Sequence, residues 1–487
     1  MKAYMQRYHL AVVSAFLLLL ILAKGCEKDE LLTNSTAKLS FSQDTVMFDT
    51  VFTGIGSATK RFKVYNNHDA ALKISSIRMA KGSSSNFHMN VDGVAANSIR
   101  NYEIKAKDSI FVFVEVFVDP SNDDLIEKDS IIFSLNGGEQ DVKMRAFGQN
   151  VHLLRNALLP TQTWTNDKPY LIYTSSMVDT LETLTVEAGT KIYFHQGASL
   201  FVKGSLKVNG SPANPIVFSG DRLENFYSDK PGQWGAYTIL SNGATYVFGG
   251  LHFMPGSFEN VINYAEIKNA NKGIQLDSAI GNQPALRISN TKISNMNTAG
   301  IYAQTSTING NNLVINNCGS HAIALTLGGS YRFNHVTIAN YTPYNSRNSA
   351  SVAINNYYLS GGGAYVYELE EATFTNSIIY GDGGDQGNEI VIDDAGDGGF
   401  NYLFDHCLIR VNEDFEPDQE RFKNIIWSPQ QGPRFMSRTN YDFRLDTLSP
   451  AINAGSREYG NLNPTDFDGE SRMNDEAPDL GAFERVP

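Results

Sequence analysis

Apolar and polar residues alternate with a period of two from Leu39 to Gly148, as in Arg61-Phe62-Lys63-Val64-Tyr65 and Ser109-Ile110-Phe111-Val112-Phe113-Val114-Glu115-Val116. Such alternation buries one face of a strand and wets the other, and about 110 residues of it is the size of a β-sandwich. Beyond Tyr170 the pattern changes. Isoleucine with asparagine two places on recurs at Ile267-Lys268-Asn269, Ile293-Ser294-Asn295, Ile315-Asn316-Asn317 and Ile338-Ala339-Asn340, separated by 26, 22 and 23 residues. Gly273-Ile274, Gly300-Ile301 and Ala322-Ile323 keep step with the first three. A β-branched residue at one offset per repeat marks a solenoid in which each turn sets the same side chain above its predecessor. Asparagine suits the corners, because it tolerates left-handed torsions and its amide can hydrogen-bond to its counterpart one turn away. Leu286 to Leu325 lacks the three- and four-residue apolar spacing of a helical repeat. An all-β chain is predicted, a sandwich followed by a parallel β-helix, right-handed by the general chirality of parallel connections.

Three groups of motifs carry resemblances. Leu184-Thr185-Val186-Glu187-Ala188-Gly189-Thr190, Asn214-Pro215-Ile216-Val217-Phe218 and Gly232-Gln233-Trp234-Gly235 resemble the opening of bacterial right-handed, pectate-lyase-like β-helix proteins. Phe62-Lys63-Val64-Tyr65-Asn66-Asn67, Leu72-Lys73-Ile74, Val116-Phe117-Val118-Asp119-Pro120 and Arg145-Ala146-Phe147-Gly148 resemble abnormal-spindle/hydin-like immunoglobulin domains, which implies a stalk. Ser449-Pro450-Ala451-Ile452-Asn453-Ala454-Gly455, Asp466-Phe467-Asp468-Gly469-Glu470-Ser471-Arg472 and Asp479-Leu480-Gly481-Ala482-Phe483-Glu484 resemble the choice-of-anchor Q C-terminal region. That likeness implies a surface-attached protein and defines no single activity. The expected division is a signal peptide at 1–25, a tether at 26–38, an immunoglobulin-like sandwich at 39–149, a connector at 150–168, the β-helix at 169–445 and the anchor-Q-like region at 446–487. Both ends of such a coil need caps, and the C-terminal region stands at the far one.

Lys2 and Arg7 precede an uncharged, mostly apolar run from Leu10 to Ala23, too short to span a bilayer and suited to a signal peptide. Gly25-Cys26 resembles a lipobox, which implies acylation of Cys26, although Ala23-Lys24 departs from the usual pattern. Cys26-Glu27-Lys28-Asp29-Glu30 resembles the tag that sends lipoproteins of one Gram-negative phylum to the outer face of the outer membrane. The periplasmic face of that membrane is the alternative location. Loss of Lys2, Arg7 and Lys24 with the signal takes the net charge from −13 to −16. So acidic a chain is no partner for nucleic acid, and it repels an acidic polysaccharide unless a cation mediates. A monomer is expected. Cys318 and Cys407 fall several turns apart on the repeat, beyond disulfide reach, and read as buried thiols.

Candidate chemistry gathers in two places. Asp382, Asp385, Glu389, Asp393, Asp394 and Asp397 crowd around Ile390-Val391-Ile392, a density that a calcium ion would relieve; a solvated acidic loop is the plainer alternative. The same stretch offers catalytic candidates in Asp393 and Asp394, with Arg410 one turn on, for a calcium-dependent polysaccharide lyase or a glycoside hydrolase. Arginine is a poor base, and no lyase or hydrolase motif accompanies them. The second place is the widened gap from Ile338 to Ile379, which holds Tyr341, Tyr344, Tyr357, Tyr358, Tyr365 and Tyr367 with Gly361-Gly362-Gly363. Tyrosine faces stack on sugars while the hydroxyls hydrogen-bond to them, so Tyr357, Tyr358, Tyr365 and Tyr367 are the ligand-binding candidates. An irregular extra turn with outward tyrosines is the alternative. Asp466-x-Asp468-Gly469 reads as a capped turn with Arg472 pairing locally rather than a calcium loop. His321, His335 and His406 are expected at different repeat positions, which excludes a metal triad. The sequence thus favours a surface-exposed glycan-binding or adhesion module with no required cofactor. The enzyme, with Ca²⁺, is the alternative, and a structural spacer the third reading.

Overall fold

A computed structural model of the chain describes residues 30–121, 124–278, 285–343, 347–384, 387–396, 398–474 and 476–486. The signal segment and Cys26, together with Tyr344, Asp385 and Asp397, lie outside the described residues. The fold is all-β and divides into two compact units, Met1–Asn150 and Val151–Pro487.

The first unit is two five-stranded sheets over one core. One sheet orders Ser40–Phe41, Lys60–Tyr65, Ser109–Val116, Phe87–Val91 and Val94–Ala95; the other orders Thr45–Phe52, Gly138–Gln149, Ile126–Leu135, Leu72–Met79 and Ser98–Ile104. Alternation along each strand delivers Phe62, Val64, Val112 and Val114 from the first sheet against Phe48, Ile74, Ile131 and Phe133 from the second. Asn66 is buried at a bend, where its Nδ2 donates to the carbonyls of Ala70 (2.9 Å), Ile104 (3.0 Å) and Lys105 (2.9 Å). The stretch read as a tether is partly docked: Leu32 N–H donates to Ala71 O (2.9 Å), and Asn136 Nδ2 donates to Leu32 O (2.9 Å). Leu32 packs against the core, which offsets the entropy of ordering that segment.

In the second unit strands pair in parallel with the strand one repeat later, in three ladders. The first carries His152, Tyr170, Ile192, Phe218, Ile267, Ile293, Ile315, Ile338, Ile379, Ile409 and Trp427 in direct register. The four isoleucines of the periodic motif are thus vertical neighbours, all fully buried. The second ladder aligns Leu251, Ile274, Ile301, Ile323, Val352 and Ile390. The third aligns Trp164, Val186, Val208, Ile262, Ile288, Gly310, Phe333, Phe374, Phe404 and Phe422. Its last four rings stack at 5.0 Å between successive centroids, the inter-strand spacing itself. Gly310 sits where the column turns aromatic, since a Cβ there would lie 2.7 Å from Phe333 Cδ1.

Two corners are columns of left-handed residues. Asn269, Asn295 and Asn317 have φ of 68°, 58° and 55°, and their amides link in series, Asn295 Nδ2 to Asn269 Oδ1 at 3.3 Å and Asn317 Nδ2 to Asn295 Oδ1 at 3.0 Å. Asn340 leaves this column: it stays in its strand, and its Oδ1 accepts from Cys318 N–H at 2.6 Å. The other corner has positive φ at Tyr264, Asn290, Asn312, His335, Asn376, His406 and Asn424. His335 and His406 therefore occupy one repeat position, contrary to expectation. Asn376 stands between them and donates to His335 Nε2 at 3.0 Å, so they do not meet.

Two boundaries move. The ladders begin at His152–Leu154, Leu158–Leu159 and Gln162–Trp164, inside the presumed connector, in strands too short to show a period. They end at Phe422–Lys423 and Ile426–Trp427, beyond which Phe435–Ser437 and Asp442–Leu445 form an antiparallel pair. The C-terminal region is no end cap. It lies along the ladder flank, where Gly481 N–H donates to Asn376 O (2.8 Å), Ala482 N–H to Thr337 Oγ1 (2.8 Å), and Leu480 packs with Ile378 and Leu408. The last turn is plugged by Phe415, whose ring is 5.7 Å from both Phe422 and Trp427. Cys318 and Cys407 are unpaired and buried, and burial pushes both thiols up to about 12.

Candidate functional site

The widened gap before Ile379 resolves into one ladder strand, Val352–Asn355, followed by an inserted antiparallel hairpin, Tyr357–Ser360 with Gly363–Val366. Tyr367 N–H closes the hairpin base on Asn356 O at 2.7 Å. Tyr358 and Tyr365 are directly paired across it, and same-face residues of paired strands meet. Their rings stack at 4.9 Å and 9°, with Tyr367 at 6.3 Å and 25° from Tyr358. Tyr358, Tyr365 and Tyr367 remain 41%, 53% and 37% exposed, so an aromatic shelf faces water where a core would have hidden it. Tyr357 points elsewhere: its hydroxyl donates to Asp393 Oδ2 at 2.8 Å, which raises its pKa and braces the hairpin.

The structure does not gather the acidic run. Glu389 is fully buried against the equally buried Arg347 guanidinium at 2.7 Å, and it also accepts from Gly383 N–H (2.5 Å) and the Ser351 hydroxyl. Asp382 accepts from Thr342 N–H at 2.9 Å. Asp394 accepts from Asn356 Nδ2 at 2.8 Å and Gly396 N–H at 3.0 Å, a turn cap. Each described carboxylate has its own partner, and among the described residues no three His, Cys, Asp or Glu side chains converge to hold a metal. Sequence neighbours in a strand point apart and spread along it. The catalytic candidates separate likewise: Glu389 N–H meets Arg410 O at 3.0 Å, whereas Asp393 ends the strand Ile390–Asp393 and Asp394 follows it, roughly 13 Å or more along the chain.

The Asp466 turn is structural. Asp466 Oδ1 accepts from Glu470 N–H and Oδ2 from Glu484 N–H, both at 2.7 Å. Arg472, buried, pairs with Glu484 at 2.5 Å and reaches Asn312 Oδ1 at 3.0 Å. These motif residues fasten the C-terminal region to the ladder corner. Arg472 and, above all, burial hold His335 well below its ordinary pKa, in the neutral form.

Two polar sites carry no sequence signature. Lys272 is buried, donating to Val247 O (3.1 Å) and Gln275 Oε1 (2.9 Å) with its Nζ 4.3 Å from the Tyr302 ring centroid. Burial lowers its ammonium to about 8. Beside it Asp277 accepts from Gln275 and Gln304, both at 2.9 Å, and meets His252 at 2.6 Å. The other is a cleft of about 720 Å³ between the end of the first ladder and the segment after it, lined by Tyr341, Tyr380, Arg410, Arg434 and Arg438 among others. Its residues span a hundred positions of sequence, so no local pattern announces it.

No protein-family model matches the chain, and no curated protein matches it in sequence. Among solved structures, a family 123 glycoside hydrolase from Clostridium perfringens is 9% identical over 23% of this chain with a TM-score of 0.17, and the match spans 25% of that protein's chain. The catalytic unit of a thermostable GH87 α-1,3-glucanase from Streptomyces thermodiastaticus strain HF3-3 is 12% identical, with 75% of each chain covered and a TM-score of 0.32. Likenesses this loose carry no argument about shared fold or chemistry.

Proposed function

We propose that the chain is a surface-exposed outer-membrane lipoprotein that binds glycans through the tyrosine hairpin. The single observation that carries the binding reading is the shelf of Tyr358, Tyr365 and Tyr367, stacked on one another and open to water. Exposed aromatic faces held rigidly on a scaffold lose little entropy on binding and match the apolar faces of sugar rings. The scaffold is read as a right-handed parallel β-helix; the three parallel ladders support the coil, and the chirality of parallel crossovers supplies its hand. An immunoglobulin-like stalk before it and an anchor-Q-like region after it fit a surface protein, and acylated Cys26 would be its attachment.

Glycan-array retention of the full chain tests the binding. Tyr358→Ala with Tyr365→Ala should lower retention at least tenfold without changing the unfolding midpoint, because both rings lie outside the core. Unchanged retention would remove the hairpin from the reading. Attachment is tested separately: Cys26→Ser should abolish palmitate labelling and release the protein from the membrane fraction, and a labelled variant would overturn the anchor.

A further inference from the structure

We propose that the arginine cleft is a second binding site, for the acidic group of a carboxylate- or sulfate-bearing sugar. It stands apart from the hairpin and does not depend on it: the hairpin follows a strand of the second ladder, whereas Tyr341, Tyr380 and Arg410 follow or end strands of the first.

Three guanidiniums line this one cleft in a chain of net charge −13. Arg438 lies 4.9 Å from the Tyr341 ring centroid and Arg410 5.7 Å from that of Tyr380. Among the described residues neither has a carboxylate within ion-pair distance; Arg410 donates instead to the carbonyl of Gly381. Arg434 alone pairs with an acid, Asp446 at 3.2 Å, and its Nε is buried without a hydrogen-bond partner among the described residues. Asp382, the other acid of the lining, is held by Thr342. Gly383 makes room for the arrangement, since a Cβ there would stand 3.0 Å from Arg410 Cζ.

Planar guanidiniums present paired donors that match the oxygens of carboxylates and sulfates. Contact with a tyrosine ring helps to fix the Arg410 and Arg438 forks. The volume falls within the roughly 300–1,000 Å³ of small-molecule sites, and the two tyrosine rings give a sugar something to lie against. No cation is required to bring a polyanion to this acidic protein, because the cleft supplies the positive charge locally.

Calorimetry on the full chain tests the site with oligogalacturonate, which bears only carboxylates, a carrageenan oligosaccharide, which bears only sulfates, and a neutral maltooligosaccharide, with and without chelator. Binding of one or both acidic ligands, unaffected by chelator and weakened at high salt, is expected; which one binds distinguishes carboxylate from sulfate. Arg438→Gln and Arg410→Gln should each weaken it at least tenfold, while Tyr358→Ala leaves it unchanged. Absence of acidic binding, equal binding of the neutral sugar, loss with chelator, or insensitivity to both arginine changes would overturn the assignment. If Arg410→Gln alters the fold, Arg438→Gln, whose side chain contacts Tyr341 and, among the described residues, no ladder backbone carbonyl, decides the question.

Discussion

Replacing Arg347 by methionine removes the counter-charge of Glu389 while keeping most of the aliphatic volume. Both side chains are wholly inaccessible and 2.7 Å apart, so water cannot take the guanidinium's place. Glu389 would keep the Gly383 N–H and the Ser351 hydroxyl. Loss of an ordinary hydrogen bond costs about 1 kcal/mol, but breaking a buried ion pair from one side costs about 3–5 kcal/mol, and this larger figure is expected for Arg347→Met. Glu389→Gln should cost less, because Arg347 retains the carbonyls of Asn340 and Ser349. The double variant should be more stable than the sum of the two losses by at least about 1 kcal/mol, the signature of direct coupling. Urea unfolding followed by tryptophan fluorescence reads this cleanly, since Trp164, Trp234 and Trp427 all belong to the second unit. The measurement is repeated with excess calcium chloride. A cost below about 1 kcal/mol for Arg347→Met, additive losses, or a calcium-induced rise in midpoint that Glu389→Gln abolishes would refute the argument, the last by returning Glu389 to a cation.

Gly310→Ala should destabilise the second unit by about 1–3 kcal/mol through overpacking against Phe333, and Phe333→Leu in the same chain should recover part of that loss in urea unfolding; a neutral Gly310→Ala would show that the two are not in register. Lys272 titrates lower folded, about 8, than its ordinary 10.5, so below pH 8 the cost of burying the ammonium is fully present and between pH 8 and 10.5 the fold gains stability as it sheds the proton first. Relative to Lys272→Met, the wild type should therefore gain on the order of 3 kcal/mol across that window, and parallel pH profiles of the two proteins would refute the shift.

What could be read in advance was whatever repeats vertically. Ile267, Ile293, Ile315 and Ile338 announced the first ladder because one apolar slot recurs at each turn, and Asn269, Asn295 and Asn317 announced one corner because a single residue type fills it. The opposite corner is hidden because Tyr264, His335 and His406 interrupt its asparagines, so no single residue type marks the shared backbone torsion. The first turn was missed because strands of two or three residues, such as Leu158–Leu159, are below the length at which period shows. At the candidate sites the tyrosines are legible from their number, but number alone does not separate Tyr357, a brace on Asp393, from the shelf. The acidic run is close in sequence and not in space, because one strand carries Glu389 and Asp394 to opposite ends. Arg434 and Arg438 come to the cleft from beyond the last ladder strand, a fold-back that nothing local in the chain foretells.

The Phe333, Phe374, Phe404 and Phe422 stack has a consequence for how such a chain can diversify. Each ring is indexed to its neighbours by direct contact, so alignment of successive turns does not depend on how many residues the connecting segment contains. Segments as different as the hairpin after Asn355 and the direct passage from Thr326 to Gly329 join the same pair of ladders. Recognition elements can thus be exchanged as cassettes at the bends while the interior goes untouched, and a library randomised over 357–367 should fold as readily as its parent.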